Sequence, residues 1–188
     1  MSKRNTFTPQ MLTACAACIA VAVTLSFVPI VKMPQGGSIT ILRMLFVALP
    51  GYFFGPVIGI TAAVSYGILD FVLNPWFVHP VQILLDYILG FGLLGVMGYT
   101  RNMKNGLFFG FVLGAFGRFV SSTAAGYIFY LEFADPAIYG SDKMSVLWYP
   151  VIYNISYIGP EVFITVLIIS LPVVYSAIER VKLTFVRP

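Results

Sequence analysis

A few strongly polar side chains interrupt otherwise apolar runs of this chain: Arg43, Asp70, Asp86, Arg118, Asn154 and Glu161. Asp86 lies two turns into an apolar stretch that follows the helix-breaking segment Asn74-Pro75-Trp76-Phe77-Val78-His79-Pro80. A carboxylate there is costly and needs a partner or a task. It could pair with a cation or accept from an amino group of a ligand; Arg43 is the alternative partner. Arg118 and Glu161 are of opposite charge and each lies about three turns into its helix. A structural ion pair is the plainer reading, and direct ligand contact is the other. His79, the only histidine, has no Cys, Asp or Glu at metal-ligand spacing and reads as an interfacial or helix-start residue. Cys15 and Cys18, three apart on an apolar helix, read as packing. The sequence holds no Ser-His-Asp, HExxH or Walker pattern, and Gly36-Gly37 follows no strand and is no phosphate loop. These residues therefore predict a binding protein with no catalytic residue, metal ligand or cofactor, and without ATPase activity of its own.

The elements that must carry these groups are membrane helices. Of the 188 residues, 59% are hydrophobic and 10% charged, with mean hydropathy +0.92. A soluble domain carries about 25% charged residues. The net charge of +4 comes from basic residues near helix ends, which is a topology signal and not a nucleic-acid stripe. The first apolar run follows Lys3 and Arg4, is long enough to span and lacks a small-residue cleavage site, so it reads as a helix and not a signal peptide. The expectation is an all-α integral membrane protein, a single domain over residues 1–188, with six spans at about 11–31, 39–54, 57–73, 80–99, 107–130 and 149–177. The sixth is expected to break or bend around Gly159-Pro160 and Pro172. Lys3, Arg4, Arg101, Lys104, Arg180, Lys182 and Arg187 fall on one side, and only Lys32 and Lys143 on the other. That bias puts both termini in the cytoplasm. The Gly36-Gly37 loop, the 74–79 loop and the acidic 131–148 loop are then external. The intramembrane polar groups gather in the outer half or near the midplane, together with Trp76, Tyr87, Tyr130, Trp148, Tyr149 and Tyr153, which suggests an outward-facing pocket. On the first helix, Ala16 and Ala20 form a small-xxx-small pair suited to close helix approach, within the chain or on a partner subunit.

Three stretches, in order and at matching spacing, carry a resemblance. One runs from Met33 to Thr40 and one from His79 to Tyr87 with Gly90-Phe91. The third comprises Gly117-Arg118-Phe119 with Gly126 to Tyr130, then Trp148 to Asn154 and Pro160-Glu161. Together they resemble the thiamine-specific substrate-binding (S) component of energy-coupling-factor vitamin transporters, over nearly the whole chain. The resemblance implies capture of thiamine or a close analogue. Asp86 and Asn154 would hold polar groups of the vitamin, with Gln82 and Tyr87 beside them. Tyr130 would stack on a ring, and Tyr149 occupies the position of a matching tyrosine. Gln35, Gly36 and Gly37 would form a lid. Ala16 and Ala20 would dock on the transmembrane coupling subunit, which works with two ATPase subunits. One position departs from the pattern: four residues after Arg118, where the family usually has histidine, stands Ser122. Serine offers a shorter, weaker contact, which implies either a different hold on the ligand or a related compound.

The alternatives are an S component for another small heterocycle, a stand-alone secondary transporter and an intramembrane enzyme. A secondary transporter needs a coupling-ion site and usually an internal repeat. No repeat relates residues 1–98 to 99–188. An enzyme needs a dyad or metal cluster, for which only His79 and the Arg118/Glu161 couple are on offer.

Overall fold

The computed structural model describes residues 8–33, 35–133 and 143–186. Helix α1 (Pro9–Ser26) opens with Pro at its first position, and Thr8 Oγ1 accepts from Met11 N at 3.3 Å as N-cap. The chain then leaves the helix for a small antiparallel ribbon, β1 (Val31–Lys32) with β2 (Ser38–Ile39), paired Val31 to Ile39 and Lys32 to Ser38. Two expected spans are thereby shortened. Residues 27–31 do not continue the first helix: Pro29 has no N–H to give, and Ile30 N donates to Ile39 O at 2.8 Å. The second helix, α2 (Arg43–Phe54), begins only after Leu42, which sits in the left-handed region at φ 63°. Its 12 residues are about 18 Å long, against a hydrocarbon core of about 30 Å.

Gly55, at φ 101°, turns the chain directly into α3 (Pro56–Leu73). Helix α4 (Pro80–Thr100) is continuous but changes winding. It is α at Pro80–Gln82, π at Ile83–Leu89, α at Gly90–Gly92 and 3-10 at Leu93–Thr100. His79 caps it, with Nδ1 accepting from Val81 N at 3.2 Å, as the helix-start reading expected. Helix α5 is Gly106–Phe133, and α6 is Lys143–Ser170, which runs through Pro150 and Pro160. The expected sixth span ends at Leu171, where the chain breaks before the separate amphipathic helix α7 (Pro172–Val186). Residues 134–142, the middle of the expected long loop, lie outside the described residues.

Five of the described helices are long and apolar enough to cross a membrane: α1, α3, α4, and the segments Gly106–Ile128 and Trp148–Ser170 of α5 and α6. Helix α2 is the short one, yet almost every residue in it is buried. It packs at a node with α3 and α4 where only glycine fits. A Cβ on Gly59 would lie 2.3 Å from Gly51 Cα, and one on Gly95 would lie 2.4 Å from the Gly59 carbonyl carbon. Such contact lets backbones approach where the lipid supplies no hydrophobic drive. At the end of the bundle opposite the ribbon, α7 is fastened by Glu179 to the Tyr52 hydroxyl and by Lys182 to the Arg101 carbonyl. Phe185 meets Phe54 edge-on at 4.9 Å.

Candidate functional site

The helices enclose a cavity of about 330 Å³ under the ribbon, at the small end of the ligand-pocket range. Its walls come from α3 (Asp70), α4 (Gln82, Asp86, Tyr87, Phe91), α5 (Arg118, Ser122) and α6 (Tyr153, Asn154, Tyr157). Arg43 closes it from α2, and Gln35, Gly36 and Gly37 cover it from the ribbon turn.

Asp86 sits in the π-helical turn. Gln82 Oε1 accepts from Val78 N at 3.1 Å, which leaves its amide nitrogen for the Asp86 carboxylate. Ser122 faces the same carboxylate as a hydroxyl donor, and Arg118 lies near enough to act on it electrostatically. Arg43 is not its partner.

Glu161 pairs with Arg43 and not with Arg118, which overturns the expected ion pair. Its carboxylate, 1% exposed, lies 3.8 Å from Arg43 Nη2. It accepts from Thr40 Oγ1 at 2.8 Å, from Met44 N at 3.0 Å and from Thr40 N at 3.4 Å. The reason lies at the start of α2. Leu42 precedes that helix with no side-chain cap, so the carboxylate of α6 takes the Met44 N–H in its first turn. Arg118 is thereby left to the cavity. Its guanidinium carbon lies 3.7 Å from the centre of the Phe91 ring, and Nε and Nη1 are buried with no hydrogen-bond partner. Asp70 accepts from the Tyr66 hydroxyl and from Asn74 Nδ2, both at 3.4 Å.

The aromatic wall is a tyrosine ladder on α6. Tyr149 and Tyr153 stack at 6.1 Å and 14°, and Tyr153 meets Tyr157 edge-on at 5.6 Å. Tyr149 does not itself line the cavity; it backs Tyr153, which does. Asn154 donates to Pro150 O at 2.8 Å and accepts from the Tyr157 hydroxyl at 2.8 Å. Its carbonyl is thus engaged, and its second amide hydrogen is the part left to face the cavity. The side chain of Tyr130 lies outside the described residues.

The ribbon turn rests on aromatic rings. Gly36 has φ 81°, and a Cβ there would come within 2.7 Å of Trp76 Cγ. A Cβ on Gly37 would meet the Tyr153 hydroxyl at 2.9 Å, and Gly37 N donates to that oxygen at 3.1 Å. Trp76 is held in turn by Tyr87, whose hydroxyl accepts from Trp76 N and donates to Trp76 O, each at 3.0 Å. Tyr87 therefore spends its hydroxyl on the 74–79 loop and offers the cavity its ring. Ala16 and Ala20 lie far from this site, on the exposed face of α1.

Residue reasoning missed Tyr157 and Phe91 as walls of the cavity, and it placed Asp70 and Arg43 near the pocket by depth alone. The recurrence of Tyr149, Tyr153 and Tyr157 every four residues was a usable signal for an aromatic helix face. Phe91 carried none beyond its place in the Gly90-Phe91 motif, and depth gave the charges a common level but not their partners.

Residues 12–180 match the family described as thiamine transporter protein (Thia_YuaJ). The chain is 29% identical over 173 residues to the thiamine transporter ThiT of Bacillus subtilis (strain 168), covering 83% of this chain and 86% of that protein. It shares its fold with the solved structure of ThiT from Listeria monocytogenes, at TM-score 0.67 and 21% identity, over 93% of this chain and 96% of that one. The resemblance drawn from the sequence motifs therefore holds. With its apolar helices and a family match covering most of its length, the chain belongs to the thiamine transporter family, multi-pass proteins of the cell membrane that are transporters and not enzymes.

Proposed function

We propose that this chain is the substrate-capture subunit of a vitamin importer and binds thiamine in the cavity beneath the Gly36-Gly37 turn. The observation that carries the reading is the charge balance inside the bundle. Arg43 and Arg118 stand against Asp70, Asp86 and Glu161, all buried or half-buried. With each group in its ordinary charge state, the set carries one negative charge in excess. Thiamine has one permanent positive charge on its thiazolium ring and an aminopyrimidine that offers both a donor and acceptors. Asp86 supplies the counter-charge or accepts from the amino group. The Arg118 donors without protein partners suit a ring nitrogen, and the Tyr153 and Tyr157 rings suit a flat cation. Gln82, Ser122 and Asn154 set the polar contacts, with Tyr87 bracing the loop below the lid. Tyr149 acts through Tyr153, and Tyr130 is assigned to ring stacking by its position in the family pattern. Ser122, where the family pattern usually has histidine, also donates to Asp86.

In this reading the whole chain is one membrane unit. Helix α2 serves as the second of six crossings, both termini are cytoplasmic and the cavity opens outward under the lid of Gln35, Gly36 and Gly37. Uptake is driven by two ATPase subunits through a coupling subunit that meets α1 at Ala16 and Ala20. The exposure of both alanines favours a partner over packing within the chain.

The test is titration calorimetry of the purified chain with thiamine, together with mass spectrometry of ligand carried through purification. Tight binding by the chain alone, with uptake only when the coupling module is co-expressed, is the expected pair of results. Uptake by the chain alone would make it a secondary transporter. Absence of thiamine binding with retention of another heterocycle would reassign the ligand.

A further inference from the structure

Most of the described helical hydroxyls turn back on their own helix, and that of Ser121 does not. Thr13, Thr24, Thr61, Ser65, Ser170 and Thr184 each donate to the carbonyl four residues back in their own helix, at 2.7–3.0 Å. Ser121, 4% exposed on α5, instead crosses to α4 and donates to Leu85 O at 2.6 Å. Leu85 lies in the π-helical turn, where the same carbonyl already accepts from Gly90 N. A π-turn holds one residue more than the α-helix would and leaves its backbone groups poorly aimed for their own helix. Two of its carbonyls are received by neighbouring helices. Leu85 O takes Ser121, and Tyr87 O presses on Gly67 of α3, where a Cβ would lie 1.9 Å away. Asp86 sits between those two carbonyls and points into the cavity, where Ser122 meets its carboxylate.

We infer that Ser121 is a positioning residue for ligand recognition: its hydrogen bond to Leu85 O holds α4 in the π winding that aims Asp86. This rests on the assignment of Asp86 as the ligand's acid. Adjacent serines divide the work, Ser121 on the backbone before the acid and Ser122 on the acid itself. Relaxation of the turn to α winding would remove one residue of register. Asp86 and the residues behind it would then turn by about 100° relative to those ahead, and the carboxylate would leave its partners.

The experiment uses the purified full chain, thiamine as probe, and the variants Ser121→Ala, Ser121→Thr, Asp86→Asn and Ser121→Ala/Asp86→Asn. Ser121→Ala should weaken binding by about five- to tenfold, the loss of one neutral hydrogen bond. Ser121→Thr, which keeps the hydroxyl, should restore it. In the Asp86→Asn background, Ser121→Ala should cost less than about twofold, because the group it aims is already gone. A general packing role would instead give equal losses in both backgrounds, or fewer active molecules at unchanged Kd, and either result would overturn the inference. A second readout needs no ligand: amide exchange over residues 83–90 should speed up in Ser121→Ala and not in Ser121→Thr. Should the parent not bind thiamine, the functional reading fails and the exchange result decides. Faster exchange in Ser121→Ala alone would sustain the clamp, and unchanged exchange would overturn it.

Discussion

Replacing Asp86 by Asn changes charge while keeping size, and the surroundings of Asp86 set what that should cost. The carboxylate has Ser122 and Gln82 as neutral donors and Arg118 as a neighbouring cation. Asn can still accept from Ser122 through its Oδ1, so the fold should survive. The ligand loses a charged partner. A unit pair 4 Å apart at an effective dielectric constant of about 20 attracts by about 4 kcal/mol, before the cost of taking both ions out of water. After that cost, hydrogen bonds to charged groups are worth about 1.5–3 kcal/mol. The expected loss is therefore about 10- to 150-fold in Kd. Titration calorimetry of parent and variant with thiamine measures it. The ratio should change little between low and moderate salt, since a site enclosed by the bundle is weakly screened. Equal affinity in Asp86→Asn would show the acid to be structural and the pocket assignment to be wrong. A variant that fails to fold would give Asp86 to stability and not to recognition.

Four further outcomes are expected. Glu161→Ala should strip the start of α2 of its acceptor and leave Arg43 buried without its counter-ion, at about 3–5 kcal/mol; thermal unfolding in detergent should show little folded protein. Arg118→Ala leaves the Glu161 cluster whole, so it should fold and show altered thiamine affinity, and an unfolded Arg118→Ala would contradict the charge partners described above. Gly36→Ala puts a Cβ against Trp76 at a left-handed backbone position, so the turn should seat badly; stopped-flow measurement of thiamine release should give a faster rate than the parent, and an unchanged rate would remove its lid role. Ala20→Leu should leave thiamine binding intact and abolish uptake in cells carrying the coupling module, because close approach needs small side chains, whereas undiminished uptake would remove α1 from the docking surface.

Composition and periodicity by themselves determined that this chain is an assembly of apolar membrane helices. An 59% hydrophobic chain with 10% charge cannot clothe a soluble particle, and proline and glycine at positions 55–56 and 80 mark helix starts by fixing or freeing φ. The order of short motifs carried the family, and an acid in an apolar helix announced Asp86. Tertiary structure alone decided the rest. Matching depth suggested Arg118 for Glu161, but depth says nothing about which way a side chain faces. Packing gave Glu161 to Arg43, Thr40 and Met44 and turned Arg118 toward the cavity. Pro29 marks the exit from α1 in the sequence, but where the chain goes next depends on the pairing of Ile30 and Val31 with Ile39. The π winding at Ile83–Leu89 has no signature in an apolar run, because its carbonyls meet neighbouring helices, Leu85 O at Ser121 and Tyr87 O at the space left by Gly67. A local pattern specifies an element and its buried face. Which charges meet depends on interhelical geometry, and that is a property of the folded bundle.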